Sequence, residues 1–235
     1  MSRNRLAAAA AATIGTLSIV YAIGYLVITP SVQRGADVAA AYRSYLAHPA
    51  GPRIAALCLL LSGVLTTVVY AGLHAVPGKL PASWRTWALA LGTVSGVATS
   101  VHGLVSLIDN DKLAHAYTDG DAAARAAVVV ARTTTSAADP RGLATFALVG
   151  IVVLAFSRHL RETSPKLAVL GYVAGTDLLL LFLASASGAA VPILVTGGLA
   201  SLVLGPAWWF GVARRLVRSD GTGVSDRAPA ATAAR

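Results

Sequence analysis

Residues 166–183 read KLAVLGYVAGTDLLLLFL. A lysine leads an apolar run, and one carboxylate, Asp177, stands near its middle. Crossing the hydrocarbon core of a bilayer takes about 20 apolar residues in helical form, so this run reads as a membrane-spanning helix. The same theme recurs along the chain, and no other run holds an acid so deep. Composition agrees: 56% of residues are hydrophobic and 12% charged, with mean hydropathy +0.68. A soluble domain has roughly a quarter of its residues charged, so lipid is the expected solvent and an all-α bundle the expected fold class.

Six spans are predicted, at residues 6–28, 54–76, 87–108, 142–158, 167–186 and 191–212. Together residues 1–215 form one six-span membrane domain, and residues 216–235, rich in Ala, Gly, Ser, Thr and Arg, are expected to be a disordered cytoplasmic tail. The first run follows Arg3 and Arg5 as a signal peptide would, but it is longer than a signal's apolar region and ends at a poor cleavage site. It is expected to be retained. Pro30 breaks the first helix, Pro192 suits the first turn of the sixth, and Pro206 is a candidate kink.

Two polar segments lie between spans. In residues 29–53, Val32, Ala36, Ala39, Ala40 and Leu46 are expected to line one side of a short helix at the membrane surface. Residues 109–141 hold five aspartates, of which Asp121 is placed to cap a helix running to about Ala137, with Arg125 one turn on. These make two surface helices on the outer side.

The charges orient the bundle. The N-terminus, the 77–86 and 158–166 turns and the tail hold twelve of the 19 Lys and Arg residues, and the opposite side holds seven, offset by six aspartates. Basic loops stay cytoplasmic, so both termini are expected inside the cell. All four tryptophans, Trp84, Trp87, Trp208 and Trp209, fall at the predicted cytoplasmic ends of spans three and six, where such rings favour the headgroup layer. The excess of arginine over lysine and the abundant alanine suit a GC-rich bacterial genome, and hence a bacterial inner membrane.

Asp177 is the first candidate for chemistry. An acid at the bilayer centre costs about 2.5–3.5 kcal/mol and usually faces the bundle interior or a water path. It is a proton or cation site, the acid of a membrane enzyme, or a structural anchor hydrogen-bonded to a neighbouring helix. His102 is its natural partner. It lies beyond the middle of span three, roughly 7 Å outward at 1.5 Å per residue, at a height that suits contact if spans three and five touch. Gly92 and Gly96, like Gly171 and Gly175, are four apart. Such pairs let two backbones approach, which would make spans three and five neighbours.

Other constellations carry less. The run Asp109-Asn110-Asp111 with His115, Asp119 and Asp121 fails as a calcium loop, because Leu113 and Ala114 stand where an acid and a glycine are needed; solvated caps and turns fit better. His48 and His159 read as loop residues and His74 as interfacial. Cys58, the one cysteine, reads as a small core hydrophobe. No Walker loop, HExxH, GxSxG or CxxC occurs, no cofactor or metal is indicated, and the basic net charge of +9 flanks apolar runs instead of forming a nucleic-acid stripe. The expected partner is the lipid bilayer, with a hydrophobic small molecule or a partner membrane protein beside it.

The layout YLAHPAGPRIAALCLLLSGVLTTVVYAGLHAV at 45–76, RHLRETSPKLAVLGYVAGTDLLLLFL at 158–183 and LVLGPAWWFGVARRLVR at 202–218 resembles a broad bacterial family of six-span membrane proteins known only as a domain of unknown function. The resemblance covers most of residues 6–215 and implies no catalytic residues. Three functional classes follow from the sequence: a non-catalytic accessory or interaction protein; a small transporter or sensor using Asp177 and His102; or a membrane enzyme acting on a lipid or isoprenoid, terpene-cyclase-like, with Asp177 as acid.

Overall fold

The computed structural model describes residues 2–26, 38–135 and 139–222. Its described elements are all helical: α1 (Arg3–Leu26), α2 (Val38–Ala47), α3 (Ala50–Ala75), α4 (Ala82–Asp119), α5 (Ala122–Thr135), α6 (Val149–Leu160), α7 (Pro165–Ser187), α8 (Ala190–Leu199) and α9 (Gly205–Thr222). Two wide, π-helical turns interrupt the pattern. Leu143–Leu148 leads into α6, and Ala200–Leu204 joins α8 to α9. Six segments are long and apolar enough to cross a membrane, at Arg3–Gly24, Ala50–Ala75, Ala82–Asp119, Leu143–Leu160, Pro165–Ser187 and Val191–Ser219. The chain is an all-α, multi-pass membrane protein.

The six spans form a closed ring in chain order. Span one packs on span two, two on three, three on four, four on five, five on six, and α9 of span six returns to α1. Apolar burial drives little between helices already in lipid, so contact rests on close packing and interhelical hydrogen bonds. Glycine supplies the closest approaches. A methyl on Gly96 would lie 2.6 Å from the carbonyl oxygen of Gly63, which ties spans three and two, and one on Gly150 would lie 2.9 Å from that of Gly175, which ties four and five.

The ring is filled unevenly. At the end carrying the chain termini, Ala7, Ala11, Val69, Tyr70, Leu73, Val152, Phe156, Leu160, Trp208, Val212 and Leu216 make one continuous core. Tyr70 stacks on Phe156 with ring centroids 5.4 Å apart, and Trp208 meets Trp209 edge-on at 4.7 Å. The tryptophan pattern therefore divides. Trp84 and Trp87 are 64% and 66% exposed, as residues of an interfacial belt should be, while Trp208 and Trp209 are buried core residues.

His159 is also misplaced by a loop reading. It is wholly buried, and it clasps the turn between spans two and three. Its Nδ1 accepts the Leu80 N–H at 3.2 Å, so Nε2 carries the proton and donates to the Val76 carbonyl at 2.8 Å. The backbone N–H of Lys79 donates to the His159 carbonyl, and the Lys79 ammonium pairs with Glu162 at 2.8 Å. That ammonium holds the Glu162 carboxyl below its ordinary range.

The opposite end carries a cap. Helix α4 runs for 38 residues, roughly 57 Å at 1.5 Å per residue, which exceeds a hydrocarbon core of about 30 Å. Span three was expected to stop at 108; the helix continues because Asp109–Thr118 offers no proline or glycine to break it. Its overhang packs with α2 and α5 around Tyr42, Tyr45, Ala114 and Val128. So α2 turns its tyrosines toward α4, with Leu46 of the expected membrane-facing side packed against the same cluster, and burial pushes the Tyr45 phenol up. Arg53 pairs with Asp111 at 2.6 Å across the base of the cap. Asp121 caps α5 through the Ala124 N–H at 2.8 Å, as expected, but Arg125 donates to the Tyr117 carbonyl.

The tail boundary moves. Residues 216–222, assigned to a disordered tail, belong to α9, because Leu216 is fully buried against the ring and holds the helix down. Residues 223–235, and Val32 and Ala36 of the expected surface helix, lie outside the described residues.

Candidate functional site

Asp177 is buried, 7% exposed, at mid-height of α7. Its Oδ2 is shielded from solvent and has no hydrogen-bond partner among the described residues. His102, half-buried on α4, does not meet it. Spans three and five share no packed interface, because span four and its π-helical turn stand between them. The glycine pairs are used, but differently from the expectation. Gly92 and Gly96 face Tyr70 and Gly63 of span two, while Gly171 and Gly175 face Ser157, Leu154 and Gly150 of span four.

What lies inside the ring is a partly open cavity of about 140 Å³. All six spans line it: Ile14, Leu17, Ser18 and Tyr21 from one; Cys58, Leu59, Ser62 and Thr66 from two; Ser95, Gly96 and Thr99 from three; Thr145, Phe146 and Val149 from four; Ala174, Leu178 and Leu181 from five; Ala200, Ser201, Gly205 and Trp209 from six. Ile14, Ala174 and Trp209 also belong to the packed core, so they form its floor on the terminal side. Asp177 lies one helical step from Ala174, Leu178 and Leu181. Asp177 shares their stripe of α7 but is not itself among the lining residues.

Both π-helical turns face this cavity, and each has a local cause. Pro206 has no N–H to give to the carbonyl four residues back, and its ring crowds that carbonyl. The chain widens ahead of it, and the Gly205 N–H bonds to the Ala200 carbonyl five residues back. On span four the turn is held by Asp139, which is 4% exposed. Its carboxylate accepts the Ala144 N–H at 2.6 Å, the Thr145 N–H at 3.0 Å and the Thr145 hydroxyl at 2.5 Å. The next turn around, Arg141 in a left-handed conformation (φ 55°) donates to the Ala186 carbonyl at the end of α7. Wide turns of this kind concentrate at functional sites.

Five of the hydroxyls on the wall are already committed as donors. Ser18 gives its proton to the Ile14 carbonyl at 2.9 Å, Thr66 to Ser62 at 2.7 Å and Ser95 to Ala144 at 2.7 Å. Because Thr145 donates to Asp139, the 3.2 Å contact between Thr99 and Thr145 runs from Thr99. At these positions the wall presents spare oxygen lone pairs, beside the hydrocarbon of its apolar residues. No titratable carboxyl, imidazole or amine is among its lining residues, and no group of His, Cys, Asp and Glu suited to a metal ion occurs among the described residues.

Sequence reasoning singled out Asp177 and His102 and missed Asp139 and the hydroxyl lining. Asp139-Pro140 before a span is a cap signal in hindsight. The hydroxyls were visible as Ser and Thr in apolar runs, but single serines and threonines in membrane helices bond their own backbone too often to mark a site. Compared with protein-family models, with curated proteins and with solved structures, the chain matches none.

Proposed function

We propose that the chain is a non-catalytic accessory or interaction protein of a bacterial cell membrane, with both termini cytoplasmic. The separation of Asp177 from His102 carries the first part. A proton relay or acid site built from these two groups would need them on facing helices, and span four lies between them. The orientation rests on the twelve Lys and Arg residues at the terminal end and on Trp84 and Trp87 at the matching end of α4. The likeness of layout to the six-span family of unknown function belongs to the same proposal.

One observation favours a second reading, a proton- or cation-linked carrier or sensor. A structural anchor would hydrogen-bond, yet Asp177 Oδ2 has no partner among the described residues. A terpene-cyclase-like enzyme is less well supported, because its acid would have to face the cavity. The test is complementation of a deletion strain by Asp177→Asn and His102→Ala, with insertion checked by membrane fractionation. Full complementation by both is expected. Normal insertion with lost phenotype for Asp177→Asn would move the assignment to the carrier. Reporter tags at the two ends are expected to be inside the cell; external tags would overturn the orientation.

A further inference from the structure

We propose that the ring cavity is a binding site for one uncharged hydrocarbon chain, either a free neutral molecule or the acyl chain of a bilayer lipid. The assignment holds whether the protein is an accessory protein or a carrier.

The volume sets the size of the occupant. About 140 Å³ of this kind holds on the order of ten waters at about 10–15 Å³ each, or roughly 300 Å³ of molecular volume at about 30 Å³ per water. That lies at the lower end of small-molecule sites, which run from about 300 Å³. The lining sets the chemistry. Leu17, Leu59, Phe146, Leu178 and Leu181 give apolar walls, and a charge placed among them would be desolvated without a counter-ion. The hydroxyls of Thr66, Ser95 and Thr99 have given their protons away, so they suit at most a single donor on the ligand, such as an alcohol or amide N–H. A phosphate or carboxylate would find no cationic partner among the lining residues.

The geometry favours a seat over a channel. The aromatic core closes the terminal side, and both π-helical turns widen the wall at the same height. Two unrelated local causes, Pro206 and the Asp139 cap, thus act on one cavity.

The test uses Trp209, which lines the floor, as energy donor. Purified full-length protein in nanodiscs is titrated with the methyl ester of cis-parinaric acid, a neutral fluorescent chain whose length beyond the seat leaves through the cavity's open side, and separately with a phosphatidylcholine bearing the same chain. Energy transfer saturating at one chain per protein, above the linear partition into lipid, is expected. Ser62→Leu and Ser201→Leu fill the cavity from different spans and should each weaken binding at least fivefold, while Val203→Leu, on the exposed face of span six, should not. Saturation with both probes, or with either one, supports the site, and the probe that saturates names the source. No saturation of the parent by either probe, or equal affinity in the parent and both filled variants, overturns the proposal.

Discussion

Asp177 illustrates how much one residue can announce and how little it can specify. A carboxylate in KLAVLGYVAGTDLLLLFL is conspicuous in sequence, and its burial follows directly. Its surroundings do not, because they depend on which helix faces which. Leaving a buried polar atom unpaired costs about 1–3 kcal/mol. Asp177→Leu removes such an atom and is expected to raise thermal stability in detergent by about 1–2 kcal/mol on the same scale. A drop in melting temperature would mean the carboxyl holds the fold together after all. His159 teaches the reverse lesson. Its sequence context, RHLRETSP, reads as a polar turn, yet the ring sits wholly inside and holds Val76 and Leu80. A histidine's burial is decided by whether a turn from elsewhere in the chain arrives to cover it.

At the level of elements, the spans were legible because length and hydropathy are local properties. Neighbour relations were not. Gly92/Gly96 and Gly171/Gly175 are spaced for close packing, and they do pack closely, but spacing marks a smooth face without naming its partner. The partner is fixed by the ring closing in chain order. Gly96→Val is therefore expected to part spans two and three, whose backbones meet at Gly63, and to cost about 1–3 kcal/mol as an overpacked contact. Thermal unfolding in detergent measures this, and an unchanged melting temperature would deny the contact. Pro206 was legible as a disturbance. That it produces a widened turn instead of a bend follows from the Gly205 N–H reaching back to Ala200.

Across the whole molecule, the terminal end is solid and the opposite end is hollow and capped. The two surface helices were legible, but their packing on the overhang of α4 was not, because the cap's core is four small or aromatic residues from three segments, below what hydropathy windows detect. The clasp at the terminal end makes a prediction of its own. His159→Ala leaves the Val76 carbonyl and Leu80 N–H without their partner, so hydrogen exchange at residues 76–81 is expected to rise by about tenfold or more, in line with loss of a buried bond of roughly 1–3 kcal/mol. Exchange in the cap should not change. Equal exchange at both ends, or none at 76–81, would show that the turn is held by the Lys79 contacts alone.

The unbroken length of α4 has a mechanical consequence. Thr99, on the cavity wall, and Ala114, in the cap, lie on one helix, roughly 22 Å apart at 1.5 Å per residue. Over that distance the helix holds no proline and one glycine, Gly103, which is packed against the backbone of span two at Ala56 and Leu60, so the segment behaves as a stiff rod. The cap is thus a handle: a push sideways on its tyrosines is levered into the wall that carries Ser95 and Thr99, and a body wedged into the cavity tilts the handle outside.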